Sequence, residues 1–279
     1  MNGRTFRLIA LATGILVLLS GCTMQVSGNS AIQEGSDGKT ALLPVDIQLQ
    51  RIHSYPNGGS QLITASSMNA GDIILSSAAG PTSMGIRLFS ISGVSHAAIY
   101  LGDDRVAEAV GSGVQIVSLE QAMQHSSKLI VFRYPGLTPE HALAIRQFSQ
   151  DKVGIRYNYN GVALMAPFML TRKVCDLNPF SSTFRNYCLN TLAKIQLGTD
   201  DDAKGTFFCS QFVLEAYKYA GYPITDSAPV WVSPADLLHM REGDVASLTP
   251  IKPLLYVGHL KQGMLETTTT SVQDFFSFN

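Results

Sequence analysis

An α+β fold built on an antiparallel sheet is what this sequence predicts, on three observations. Short strand-like segments follow one another from residue 71 to residue 134 across glycine- and aspartate-containing turns, as in a meander. The best amphipathic helix, residues 208 to 220, comes only after them. With 46% hydrophobic residues, a chain of 279 has ample apolar side chain for a buried core, which excludes a disordered chain. Its 20 basic and 21 acidic residues leave a formal charge of −1, so there is no electrostatic reason to expect nucleic-acid binding.

At the amino terminus, Arg4 and Arg7 precede an apolar run from Leu8 to Leu19, closed by Ser20-Gly21-Cys22. At ~1.5 Å per residue this run is too short for a hydrocarbon core of ~30 Å, so residues 1 to 21 read as a signal peptide. Leu19-Ser20-Gly21-Cys22 resembles a bacterial lipobox, which implies cleavage before Cys22 and its acylation. An ordinary secretory signal with a chance cysteine is the blander reading. Thr23, where an inner-membrane lipoprotein would carry aspartate, implies an outer-membrane address facing the periplasm. Residues 22 to 60 are expected to be a flexible tether, since residues 23 to 45 are small and polar.

Beyond the tether, Gly71-Asp72-Ile73-Ile74-Leu75 reads as a strand leaving a turn, and residues 84 to 89 as a helical or irregular piece. Residues 96 to 101 and 105 to 110 are strands around Gly102-Asp103-Asp104, and residues 113 to 117 are a third. A short helix over 119 to 125 leads to a strand over 128 to 134, closed by Pro135-Gly136. Thr138 can cap, and Pro139 open, a helix carrying Ala142, Ile145, Phe148 and Val153 at near-helical spacing. Residues 161 to 205 break the pattern with Pro167, Pro179, two cysteines and Asp200-Asp201-Asp202, and read as an insertion. Phe212, Val213, Ala216, Tyr217 and Ala220 then share one helical stripe, stopped by Gly221. Ser233-Pro234 caps and opens one more helix. One domain is expected over residues 61 to 260, followed by a tail over 261 to 279.

Four cysteines need assignment, and Cys22 is given to lipid. Cys175 and Cys188, thirteen positions apart in an exported chain, are candidates for a disulfide that staples the insertion. Buried free thiols or another pairing are the alternatives. Cys209 is left at the amino-terminal edge of the strongest helix, where positive potential and unpaired amides favour a thiolate and can donate to an oxyanion. A base and an orienting acceptor would complete such a site: His96 begins one strand, and Glu108 stands in the next. A three-residue loop at 102 to 104 would pair residues whose numbers sum to 206, making His96 and Glu108 diagonal neighbours on one face. A two-residue loop would put them on opposite faces. On pattern alone, a structural cysteine and a strand histidine with an ordinary hydrogen bond are the commoner explanation. No paired C-x-x-C or H-x-x-x-H spacing points to a metal, and no Walker loop or dinucleotide fingerprint to a cofactor, so none is expected.

Several stretches taken together resemble a family. Gly71-Asp72-Ile73-Ile74, then Ser95-His96-Ala97-Ala98-Ile99-Tyr100-Leu101-Gly102, Val106-Ala107-Glu108-Ala109 and Phe208-Cys209-Ser210-Gln211-Phe212-Val213 resemble the circularly permuted NlpC-type, papain-like hydrolases, in particular the YaeF and YiiX lipoprotein group. Histidine precedes cysteine, as in the permuted members. The resemblance implies a permuted papain-like fold with Cys209 as nucleophile, His96 as base and Glu108 as its orienter. Gly154-Ile155-Arg156-Tyr157-Asn158 is similar to a family stretch whose tyrosine lines the site, implying an oxyanion or substrate contact for Tyr157; a core aromatic is the other reading. Asn158 stands where aspartate is common, and the cysteine-bearing insertion is a second departure. Ser233-Pro234-Ala235-Asp236-Leu237 is similar to an element that packs after the cysteine helix.

The expectation is a membrane-tethered cysteine hydrolase attacking an amide or ester carbonyl. Peptidase or amidase action on cell-wall stem peptides is favoured. Lipid acyl hydrolysis or transfer, with the apolar residues 161 to 170 lining a groove, is the alternative, and a non-catalytic envelope-binding lipoprotein is the third reading. Expected partners are the membrane and a peptide or lipid substrate.

Overall fold

The computed structural model describes residues 24–28, 45–51, 53–56, 59–78, 93–176, 182–198 and 205–262. The signal peptide, Cys22, residues 84 to 89 and nearly all of the expected tail lie outside them.

Within the stretch expected to be a tether, β1 (Met24–Gly28) pairs antiparallel with β2 (Val45–Leu49), setting Val26 opposite Ile47. The overlooked signal is the alternation of Val45, Ile47 and Leu49 with Asp46 and Gln48, a period of two. The segment after β2 is also held to the body, well before residue 60. Gln50 Nε2 donates to the Val245 carbonyl at 3.0 Å, the Arg51 amide to Asp244 Oδ1 at 2.8 Å, and Arg241 Nη2 to the His53 carbonyl at 2.5 Å.

The main sheet is antiparallel and six-stranded, in the order β6-β5-β4-β3-β7-β8. Its strands are β3 (Ile73–Ala78), β4 (His96–Gly102), β5 (Arg105–Val110), β6 (Gly113–Ser118), β7 (Ser126–Arg133) and β8 (Leu255–Lys261). Helix α1 (Leu119–Gln124), capped by Ser118, carries the chain from β6 to β7. The expected meander is thus present. The strand β8 is an addition, drawn from the end of the domain to cover the β7 edge, with Ile130 opposite His259 and Phe132 opposite Tyr256. Asp72, buried at the start of β3, takes a bidentate grip from Arg133 at the end of β7, at 2.8 and 2.7 Å.

The helices that follow are α2 (Pro139–Asp151), α3 (Tyr159–Thr171), α4 (Lys173–Asp176), α5 (Ser182–Leu197), α6 (Cys209–Tyr219) and α7 (Pro234–His239). Thr138 caps α2 and Ser233 caps α7, as expected. The insertion, which reads as irregular, is helical through α3 to α5, and Cys175 and Cys188 within it are bonded to each other. One face of the sheet, with Leu75, Ile99 and Phe132, packs on Phe212, Val213 and Tyr217 of α6 and on Ile145 and Phe148 of α2. The other, with Ile74, Tyr100 and Val131, lies beneath Leu119 of α1. Burial on both faces explains why β3 and β7 read as continuous apolar runs. A satellite core joins Met165, Phe168 and Met169 of α3 to Ala193 and Leu197 of α5 and to Trp231.

Candidate active site

The β4–β5 hairpin sets the first two site residues. Ala98 lies opposite Glu108, Ile99 opposite Ala107 and Tyr100 opposite Val106, the parity expected from the sequence. The route to it differs. The turn has two residues, Asp103 and Asp104, both at positive φ (51° and 58°), the pair of conformations that matches strand twist. A bulge between Tyr100 and Gly102 absorbs the extra residue and restores the even register. Without it, the two-residue turn would turn Glu108 to the wrong face.

His96 Nε2 and Glu108 Oε2 are 2.7 Å apart, with side chains only 14% and 12% exposed. Gln115, directly opposite Glu108 on β6, donates from Nε2 to Glu108 Oε1 at 2.8 Å. Sequence reasoning missed Gln115; carrying the parity argument one hairpin further, across Gly111-Ser112, would have found it. Both carboxylate oxygens are therefore occupied, which fixes the plane against which the imidazole aligns.

Cys209 is the first residue of α6, which packs against β4, and is 2% exposed. Its sulfur is hydrogen-bonded by His96, by the backbone amides of Ala97 and Ser210, and by the Tyr157 hydroxyl. Since Nε2 of His96 faces Glu108, its other ring nitrogen serves Cys209. Burial opposes an imidazolium, yet the hydrogen bonds to Cys209 and Glu108 outweigh it and push the His96 pKa up to about 10. Burial likewise opposes a thiolate, but the His96 hydrogen bond and charge, with the two amides, hold the thiol below its ordinary value. Burial would raise Glu108, and it is held below the usual carboxylate range by His96, Gln115 and the charge of His125. Both shifts favour a thiolate beside an imidazolium over the neutral pair.

Tyr157 reaches Cys209 through a short backbone bridge. The Asn158 amide donates to the Phe207 carbonyl at 2.9 Å and the Phe207 amide to the Arg156 carbonyl at 3.3 Å. These residues flank the insertion, so its two ends are pinned together beside the thiol. Burial and the neighbouring sulfur push the Tyr157 phenol well above its ordinary pKa, so it remains a donor. Asn158 has a positional task. Its Oδ1 caps α3 by accepting the Gly161 amide at 2.8 Å, and its Nδ2 donates to Gln211 Oε1 at 3.4 Å. A Cβ at Gly161 would come within 2.6 Å of that Nδ2, so any larger residue there would displace the Asn158 cap.

Three further histidines have structural partners. His141 Nδ1 accepts the Thr138 amide at the α2 cap, His239 pairs with Asp244 at 3.0 Å, and His259 contacts Tyr256 at 2.5 Å. Among the described residues no cluster of three or more His, Cys, Asp or Glu side chains is placed to hold a metal ion. A cavity of about 600 Å³ lies along the far half of α6, between Leu214, Lys218, Lys194 and Trp231, and none of its lining residues belongs to the Cys209 cluster.

Comparison with known proteins gives three likenesses. The family described as a permuted papain-like amidase enzyme, YaeF/YiiX, C92, matches residues 67–163, a span that holds His96, Glu108 and Tyr157 and ends before Cys209. The chain is 47% identical over 249 residues to the probable lipoprotein peptidase YaeF of Escherichia coli strain K12, covering 89% of this chain and 90% of that protein. The crystal structure of the metalloprotein yiiX from Escherichia coli O157:H7 aligns over 68% of this chain and 89% of its own, with 19% identity and a TM-score of 0.38.

Proposed function

The chain belongs to the permuted papain-like amidase family of YaeF and YiiX, and on that premise we propose that it is a membrane-anchored cysteine hydrolase in which Cys209 is the nucleophile, His96 the acid and base, and Glu108 the group that orients His96. The observation that carries this reading is the unbroken chain from Gln115 through Glu108 and His96 to a Cys209 sulfur at a helix N-terminus.

The thiolate attacks a carbonyl carbon. The oxygen that becomes negative meets amides of the first turn of α6 and the Tyr157 hydroxyl, donors already in place before charge develops. The imidazolium protonates the leaving amine, and the acyl group stays on sulfur. His96, now neutral, takes a proton from water, which attacks the thioester and frees Cys209. Gln115 and Glu108 hold the ring through both half-reactions.

The bond cut is an amide in an envelope peptide such as a peptidoglycan stem; the amidase description of the family and the peptidase name of the YaeF relative support this. A lipid acyl substrate finds less support, because Met165, Phe168 and Met169, which a groove along α3 would need, are packed into core. Anchoring through Cys22, in the outer membrane facing the periplasm, draws support from the lipobox and from the lipoprotein name of that relative.

Two measurements test the assignment. Cys209→Ala should lower release of stem-peptide fragments by at least ~10⁴-fold while its circular dichroism stays that of the wild type. Iodoacetamide should label Cys209 rapidly below pH 7, and slowly in His96→Ala. Labelling that ignores His96, or a Cys209→Ala variant that still turns over, would overthrow the proposal.

A further inference from the structure

We infer that Tyr159 determines specificity: its exposed ring is the platform on which a pyranose joined to the stem peptide lies while the peptide enters the Cys209 site. The inference deepens the proposed hydrolase reading and rests on it.

Tyr159 opens α3, two positions after Tyr157, whose hydroxyl meets the Cys209 sulfur. The two rings meet edge to face, with centroids 5.0 Å apart and planes at 68°. From there Tyr159 reaches the tip of the β5–β6 hairpin, where its hydroxyl donates to the Gly111 carbonyl at 3.0 Å. A Cβ at Gly111 would come within 2.7 Å of that hydroxyl, so a side chain there would push the ring from its place. The same hairpin carries Glu108 opposite Gln115. Tyr159 thus spans the rim between the proposed oxyanion donor and the group that orients His96. Its footing is fixed as well: the Val114 amide donates to the Ile155 carbonyl and the Gly154 amide to the Val114 carbonyl, both at 2.8 Å.

A tyrosine that served only as a strut would gain by burying its ring, yet Tyr159 is 55% exposed. With its hydroxyl committed to Gly111, what it offers a ligand is the face of the ring. That face is electron-rich and attracts C–H bonds, whose hydrogens carry a slight positive charge. Because the ring is already held, little side-chain freedom is lost when a ligand lies on it. The surroundings narrow the choice of ligand. Arg156 and Asn160, beside it in the chain, and Ser112, at the hairpin tip, are all polar and exposed. An aromatic ring with a polar surround suits a ligand that is apolar on its face and polar around its edge. A pyranose has that character; an acyl chain, apolar on every side, does not. In peptidoglycan the stem peptide is joined to an amino sugar. A sugar on Tyr159, one ring away from Tyr157, therefore selects a bond near the glycan end of the stem.

The test compares a disaccharide-linked stem peptide with the same peptide lacking the sugar. The kcat/KM of the wild-type chain should be about three- to tenfold higher for the sugar-linked form, and Tyr159→Ala should bring that ratio to near one. Tyr159→Phe, which keeps the ring, should keep most of it. Taking the ratio within each variant cancels any general loss from a disturbed rim. A wild-type ratio of one, or a ratio that Tyr159→Ala leaves unchanged, overturns the inference while hydrolysis stands. Calorimetric titration of Cys209→Ala with the sugar-linked peptide separates the platform from the reaction. Binding that weakens about three- to tenfold when Tyr159→Ala is added upholds the platform, even where the wild-type chain cleaves neither substrate and the hydrolase reading falls. Absence of both cleavage and Tyr159-dependent binding refutes both.

Discussion

In the proposed mechanism Glu108 acts through the ring of His96, so its removal should be read in a titration rather than in a simple loss of rate. Glu108→Gln takes a negative charge from beside the imidazolium, which makes the charged ring harder to maintain. The alkaline limb of the kcat/KM profile, set by loss of the His96 proton near pH 10, should therefore move to lower pH, with a fall of about ten- to a hundredfold in the optimum rate. An unmoved limb would mean that Glu108 does not hold the ring. Tyr157→Phe should lower kcat by about a hundredfold with KM nearly unchanged, because in the proposed mechanism its hydroxyl, which rests against the Cys209 sulfur, turns to the oxyanion that forms only in the transition state; a change confined to KM would make Tyr157 a substrate contact. Cys209, His96 and Glu108 were legible because each lies in a pattern the eye can find: a helix start, a strand start and a strand parity. Gln115 was not, because an amide two hairpins from the thiol has no chemistry of its own and becomes visible only once Glu108 is seen to need a second partner.

Among the elements, α3 and α7 are joined by the buried pair Arg172 and Asp236, the latter also held by Ser233 at 2.6 Å. Asp236→Ala strands a guanidinium in the interior and should cost about 3–5 kcal/mol in urea unfolding, whereas Arg172→Met with Asp236→Leu should lose far less. Equal losses would show that the pair contributes net attraction rather than merely avoiding an isolated charge. The elements that reasoning from sequence placed well were those with local punctuation, such as Thr138-Pro139 before α2 and Ser233-Pro234 before α7. Those it missed depend on partners far along the chain. β8 is a strand because β7 offers it an edge, and β1 has β2 across a long interval; neither has a turn residue that announces it. The β4–β5 bulge belongs to the same class: its presence follows from which face Glu108 must occupy, and the Gly102-Asp103-Asp104 string fits either loop.

For the molecule as a whole, stability and reactivity should part company as pH changes. Glu108, Asp236 and Asp244 are all held below their ordinary values, so each adds stability that is complete above its unfolded pKa and is lost as pH falls through its folded one. The melting temperature should accordingly drop steeply below about pH 4. His96 works in the opposite sense: its raised pKa stabilises fully below about 6.5, and that contribution is lost as pH climbs towards about 10. Cys209, lowered, has the reverse slope over much of that interval, because on folding the proton leaves sulfur for the ring and no proton is exchanged with solvent. The melting temperature should stay level between about pH 6.5 and 8.5; a slope there would mean that the pair does not rest as ions. The bond between Cys175 and Cys188 has one more effect, on the fate of the enzyme under oxidants. With those two sulfurs committed to each other, no resolving thiol among the described residues can trap a sulfenic acid at Cys209 as a reversible disulfide. Oxidative damage to Cys209 would then run on towards sulfinate unless a reductant from outside the chain intercepts it, so the working lifetime of each molecule is set by the redox traffic around it as much as by its fold.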